Sequence, residues 1–292
     1  MTAAILVEPA PAKLNLFLHV IGRREDGYHL LETLFVFTEA GDELTVSAAD
    51  SLSLAIEGPY AGVLAGEQDN LILRAARALA DAAGLQNAGA RLVLQKNLPV
   101  AAGLGGGSAD AAATLRALNQ LWRLNRSLEQ LAEIGAGLGA DIPACVYSKP
   151  MWGHGIGTEL IPTRLTEALP VILVNPGLPL ATPDVFRTYA ELGREFSAEL
   201  PEQDSSLQPS LAWAAGLAND LETAARLCLP LLEDVRDALL EQEGVRLVRM
   251  AGSGPTWFAV FDNQAQASLA AERLRRCRPD WWVAETTVKC GQ

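Results

Sequence analysis

The feature that most constrains this chain is the run Pro99-Val100-Ala101-Ala102-Gly103-Leu104-Gly105-Gly106-Gly107-Ser108-Ala109, set between an apolar stretch at 91–94 and an alanine-rich one. Glycine fills four of the six positions from Gly103 to Ser108, so the backbone there can approach a ligand closely. Alanine and leucine favour a helix from Ser108 through Trp122, whereas Gly103 to Gly107 are read as unable to sustain one. A helix that opens out of a glycine turn aims unsatisfied N–H groups at an anion, and phosphate suits such a turn. The run lacks the closing Gly-Lys-Ser/Thr of a P-loop. It is not a dinucleotide fingerprint either, since Ser108 stands where the third glycine belongs. Taken alone, it also fits a flexible loop before a capped helix. A bulky side chain at Gly106 is expected to exclude phosphate and leave the fold intact.

A chain of 292 residues, 49% apolar, has the material for two cores. Alternation at Leu14, Leu16, Leu18 and Val20 predicts a strand over 14–20, and further strands are predicted at 34–37, 44–47, 52–56 and 91–94. Asn70 and Ser127 are expected helix N-caps, and the chain should turn at Gly139 to Pro143, where Ile142 precedes a proline. A second pattern starts with a strand at 171–175, a helix capped by Thr182 before Pro183, a helix at 230–242, strands at 245–250 and 256–261, a helix at 264–276 and a strand at 282–288. This content fits an α+β layer fold with a domain boundary near 160–168, giving domains 1–163 and 164–292. Residues 191–216 are polar and irregular at their centre and suggest no role.

The net charge of −12 argues against a nucleic-acid partner, which needs a basic footprint, but permits a buried phosphate site built from N–H groups and a lysine. No stretch approaches the ~20 apolar residues that cross a bilayer, and the first residues lack a basic leader pattern, so no membrane partner is expected. Cys145, Cys228, Cys277 and Cys290 show no metal or redox spacing and read as free thiols in a reducing cytoplasm.

The glycine run resembles the phosphate loop of the GHMP kinases. Pro11-Ala12-Lys13-Leu14-Asn15-Leu16 and Gly252-Ser253-Gly254-Pro255-Thr256 resemble two further segments of that superfamily, in the same order. Gly22-Arg23-Arg24-Glu25-Asp26-Gly27-Tyr28-His29, Leu31-Glu32-Thr33-Leu34-Phe35 and Leu138-Gly139-Ala140-Asp141-Ile142-Pro143 are similar to the branch that phosphorylates a cytidine diphosphate sugar-alcohol in non-mevalonate isoprenoid synthesis. The likeness covers nearly the whole chain and weakens within 191–245.

This resemblance implies a two-domain α+β fold, with an N-terminal ribosomal protein S5 domain 2-like domain and a C-terminal ferredoxin-like α/β-plait. It implies ATP as phosphoryl donor, Mg²⁺ with it, and a cytoplasmic enzyme that is a monomer or weak homodimer. Asp141 matches the family's base and Lys13 the lysine beside it, although Asp141 alone also reads as a turn aspartate. ATP phosphates are expected on Pro99 to Ala109. Asn15, Tyr28, His29, Thr182 and Phe186 are expected to bind the acceptor, with Tyr28 and Phe186 stacking on cytosine and His29 on its edge. Phe186 could instead be core, on a helix face with Val185 and Tyr189. Lys96 is a weaker candidate near the nucleotide. Where family members usually carry a second serine after Ser108, this chain has Ala109, and no metal ligand is assigned. Other GHMP kinases, acting on homoserine, mevalonate or a sugar, and a non-catalytic nucleotide-binding module are the competing readings.

Overall fold

Two strands of 19 residues each, β1 (Ile5–Arg23) and β2 (His29–Ser47), organise the chain. The computed structural model describes residues 5–66, 69–201 and 206–291. Contacts divide the chain into two compact units, and both long strands run through each of them. The first unit takes the residues up to Ala12, Gly41–Val100 and Gly105–Ser148; the second takes Lys13–Ala40, Ala101–Leu104 and the chain from Lys149 onward. These units are not the two halves on either side of the expected 163/164 boundary.

In the first unit, β3 (Leu52–Glu57) runs parallel to β4 (Ala90–Gln95), which pairs antiparallel with Glu43–Ser47 of β2. Parallel neighbours need a crossover, and α1 (Leu71–Ala82) supplies it. Asn70 caps α1 as expected, accepting the Ile72 N–H at 2.9 Å, and Ile72, Ala75, Ala76 and Leu79 recur on its buried face. The central helix α2 (Gly106–Leu121) packs against α1, α3 (Leu128–Ala136) and α4 (Ile142–Tyr147). Its alanines are small enough to be buried on several faces at once. Ser127 opens α3 with a full capping box to Gln130. At Asp141 to Pro143 the expected turn becomes the start of α4, because a proline in the first turn of a helix gives up no hydrogen bond.

In the second unit, β7 (Leu169–Asn175), β8 (Val245–Met250), β9 (Trp257–Phe261) and β10 (Trp282–Val288) form an antiparallel sheet ordered β10-β7-β9-β8. With α8 (Leu231–Leu240) before β8 and α9 (Gln264–Cys277) before β10, this is the split βαβ arrangement of a ferredoxin-like plait. Its core holds Ile172, Val174, Trp257, Phe261, Leu239 and Leu274. The hairpin β5 (Met151–His154) and β6 (Glu159–Pro162), absent from the sequence reading, pairs with β2 through Leu34 opposite Trp152.

Segment 191–216 proves to be tied down over the part that is described. Ser197 donates its N–H to the Val20 carbonyl at 3.0 Å and its hydroxyl to Asp220 at 2.8 Å, and the Leu200 N–H reaches Glu32 at 2.9 Å. It then forms α6 (Leu211–Ala215), capped by Ser210. Residues 202–205 lie outside the described residues.

Arg249 joins these pieces while only 6% exposed. It donates to the carbonyls of Leu16 (2.5 Å), Ala214 (3.0 Å) and Leu217 (2.6 Å). Arg249→Met keeps the length of the side chain and leaves these acceptors buried without a donor, so it should lower unfolding free energy by about 3 kcal/mol or more. Denaturant titration checks this, and a loss below about 1 kcal/mol would mean that water replaces the guanidinium.

Candidate active site

Around residue 13 the second unit brings together three segments that are far apart in sequence. Residues 12–20 of β1 are buried on both faces, so the polar side chains there need partners inside the protein. Lys13 is 4% exposed, donates its N–H to the Leu104 carbonyl at 2.8 Å and holds its ammonium 4.9 Å from the centre of the Phe35 ring. Asn15 donates Nδ2–H to Thr33 at 2.8 Å, while its Oδ1 is buried with no hydrogen-bond partner among the described residues.

Gly103, at φ +74°, lies against the turn that starts at Ala251. A Cβ there would overlap the Ala251 carbonyl oxygen and stand 2.6 Å from that of Gly254. The Ala102 carbonyl accepts the Thr256 N–H at 3.3 Å. Asn219, unnoticed in the sequence, fixes this turn by donating to the carbonyls of Met250 (2.9 Å) and Gly252 (2.7 Å). Thr182 does not cap α5 (Thr182–Glu191). Ala181 is the N-cap, and the Thr182 hydroxyl lies 2.7 Å from that of Ser253 instead.

The same unit carries a cleft of ≈ 420 Å³ lined by Arg23, Gly27, His29, Phe186, Arg187 and Glu191 among others. Val185 and Tyr189 face the core, as their helical spacing implies, but Phe186 is only partly buried and meets His29. The ring against Phe186 is thus His29, stacked at 5.2 Å and 24°, whereas Tyr28 is 63% exposed. Burial, and secondarily the charge of Arg23, pull the His29 imidazole below its usual value. A neutral imidazole with one donor and one acceptor nitrogen results near pH 7. The sequence assigns no role to Arg187, nor to Arg23 within the Gly22–His29 segment, because exposed arginines carry no pattern of their own.

In the first unit, α2 begins two residues earlier than expected, at Gly106, with Gly105 as a left-handed N-cap at φ 63°. Gly106 is packed closely from beneath: a Cβ on it would stand 3.1 Å from the Lys96 Nζ and 3.6 Å from an Asp42 carboxylate oxygen. Lys96 bonds Asp42 at 2.6 Å and Asp110 at 2.7 Å, a buried triad in which neither carboxylate was singled out by the sequence. A Cβ on Gly107, by contrast, would meet nothing within 4 Å. Gly105 has no side chain to cap the first turn of α2, and of the glycines there Gly107 is the exposed one. Ala109 is 1% exposed, so the position that departs from the family pattern points its methyl inward. Asp141 is half-buried at the N-terminus of α4, where its carbonyl accepts the Cys145 N–H at 3.1 Å.

The family model described as GHMP kinases N terminal domain matches residues 70–149, and GHMP kinases C terminal matches 205–280. A 4-diphosphocytidyl-2-C-methyl-D-erythritol kinase of Chelativorans sp. is 43% identical over 97% of this chain and 96% of its own length. One from Ruegeria pomeroyi is 46% identical over 96% and 98%. The chain belongs to the 4-diphosphocytidyl-2-C-methyl-D-erythritol kinase family of GHMP kinases. A crystal structure of a 4-(cytidine 5'-diphospho)-2C-methyl-D-erythritol kinase superposes with a TM-score of 0.80 at 36% identity, covering 98% of this chain and 100% of that one. The glycine loop falls within the first family match and the Gly252–Thr256 turn within the second.

The two middle glycines of the loop should behave oppositely. Gly106→Val pushes into the Lys96 triad and should cost about 1–3 kcal/mol of stability. Gly107→Val enters open space in a helix and should stay within about 0.5 kcal/mol of the parent. Thermal and denaturant unfolding of both variants checks this, and it revises the expectation that Gly106 could be filled without harm to the fold.

Proposed function

We propose that this protein transfers the γ-phosphoryl group of ATP to the 2-hydroxyl of 4-diphosphocytidyl-2-C-methyl-D-erythritol. The products are the 2-phosphate and ADP, in the methylerythritol phosphate route to isopentenyl diphosphate. The observation that carries the reading is the His29–Phe186 cleft, intact in a chain related over nearly its full length to kinases of that name. An aromatic face and a neutral imidazole suit a pyrimidine, and homoserine or mevalonate has no use for them.

In this mechanism the phosphates rest on the loop Pro99, Val100, Ala101, Ala102, Gly103, Leu104, Gly105, Gly106, Gly107, Ser108 and Ala109. The uncapped start of α2 supplies the N–H donors. Tyr28, His29 and Phe186 receive the cytosine, with Asn15 and Thr182 toward the rest of the acceptor. The unpartnered Asn15 Oδ1 is a ready acceptor for a substrate hydroxyl. Asp141 takes the proton as the hydroxyl oxygen bonds to the γ-phosphorus. The bond from that phosphorus to the bridging oxygen breaks, and ADP leaves with the electron pair. Lys13 holds positive charge near the transferring group. Mg²⁺ enters with ATP. Bound with the nucleotide, it would neutralise charge on the transferring phosphates, and no protein ligand is assigned to it.

We place the family's N- and C-terminal domains at 1–163 and 164–292, a division supported by family matches on either side of it. A cytoplasmic monomer or weak homodimer completes the proposal. Among the described residues no helix is long and apolar enough to cross a membrane.

Asp141→Asn and Lys13→Met should each lower kcat by ~10²–10⁴ with binding of both substrates largely kept. The double variant should be little worse than the poorer single one. Additive losses would separate their roles, and near-normal turnover of Asp141→Asn with a lower melting temperature would make Asp141 a turn residue. The acceptor's KM should hold steady at neutral pH and rise in acid, as His29 is protonated below its lowered pKa and loses its acceptor nitrogen. A pH series of KM for His29→Asn against the parent checks the assignment, since the variant should lose that dependence.

A further inference from the structure

Lys96, Asp42 and Asp110 form a deeply buried cluster of ion pairs, with side chains 3%, 0% and 4% exposed. They lie directly beneath Gly106. The two carboxylates are not equivalent. Asp42 is fully engaged: one oxygen accepts the N–H groups of Asn97 (2.6 Å) and Leu98 (2.8 Å), the other Lys96. Asp110 accepts Lys96 on one oxygen, and its Oδ1 is buried with no partner among the described residues.

One ammonium between two carboxylates leaves a buried excess of one negative charge, which a low-dielectric site disfavours. The carboxylate with fewer hydrogen bonds to its ionised form is the one that takes a proton. Lys96 and Asp42 are the charged groups that act on Asp110. The buried residues of the helices packed on α2 are apolar there: Ile72, Ala75 and Leu79 of α1, Leu131 of α3, and Ile142 and Cys145 of α4. Burial accordingly pushes the Asp110 carboxyl up to about 7 against the pull of Lys96, with Asp42 adding to the rise.

We propose that Asp110 is a positioning residue of the phosphate loop: with Asp42 it clamps Lys96 under the first turn of α2, and the clamp takes up a proton when a nucleotide polyphosphate settles there. This rests on the reading that ATP phosphates lie on that turn. With Asp110 ionised the clamp is net negative and opposes the phosphates; once protonated it is neutral. Affinity for ATP therefore falls as pH rises through 7, by roughly tenfold for a one-unit change in the proton affinity of Asp110.

Calorimetry of ATP binding at pH 8, in two buffers of different ionisation enthalpy, tests this while the nucleotide's own phosphates are fully ionised. The parent protein should take up a fraction of a proton and Asp110→Asn none. Between pH 6.5 and 8.5 the parent's Kd should weaken roughly sixfold more than that of Asp110→Asn. Asp110→Ala, which cannot hold Lys96, should weaken ATP at every pH, so that rescue by Asn separates positioning from charge. Binding without proton uptake in the parent overturns the proposal even if no variant folds, and so does an unchanged pH dependence in Asp110→Asn. Gly107→Val distinguishes the two levels. If it binds ATP as the parent does, the phosphates lie elsewhere and the loop reading itself fails; if it loses ATP while Asp110→Asn keeps the parent's profile, only the clamp is wrong.

Discussion

The backbone of Gly103 passes so near the carbonyls of Ala251 and Gly254 that no side chain fits between them. That contact, with the Ala102–Thr256 and Lys13–Leu104 backbone bonds, holds β1, the glycine loop and the Gly252–Thr256 turn in one place. Around it the demands multiply. Asn219 must hold the carbonyls of the turn, and Arg249 must hold the carbonyls leading to Asn219. A fold in which three distant segments meet through main chain alone tolerates little change at the meeting point, and this explains why glycine recurs there.

Charge follows a related logic. The protein carries a net −12, yet Lys13, Lys96 and Arg249 are 4%, 2% and 6% exposed. A buried cation in such a chain needs carbonyls, carboxylates or a ring face around it, and each of these three has a different set. The acidic total therefore does not keep cations out of the interior, where each is held by its own partners.

Much of this was legible in the sequence, for identifiable reasons. The caps at Asn70 and Ser127 show because side-chain-to-backbone bonds are local, and β7 to β10 with α9 show because their periods are clean. The loop is legible as glycine chemistry, but α2 starts two residues before the point that propensity favours, and propensity says nothing of a lysine packed beneath Gly106. β2 read as two short strands because its centre, Thr38 to Gly41, breaks the apolar pattern where Thr38 and Ala40 bond locally and to Thr286. Asp42 and Asp110 stayed hidden, since a carboxylate 54 or 14 residues from its lysine leaves no spacing to read. His29 against Phe186 needed the fold, because a helical face shows which residues line up but not what they meet.

The central claim is acceptor-dependent phosphoryl transfer to a cytidine diphosphate sugar-alcohol. ADP release by the purified protein, followed with 4-diphosphocytidyl-2-C-methyl-D-erythritol, with homoserine, with mevalonate and with no acceptor, tests it most directly. The account predicts one ADP per acceptor phosphorylated at the 2-hydroxyl, with the other three reactions at background. Equal turnover of homoserine or mevalonate, or ATP consumption indifferent to the acceptor, would contradict it.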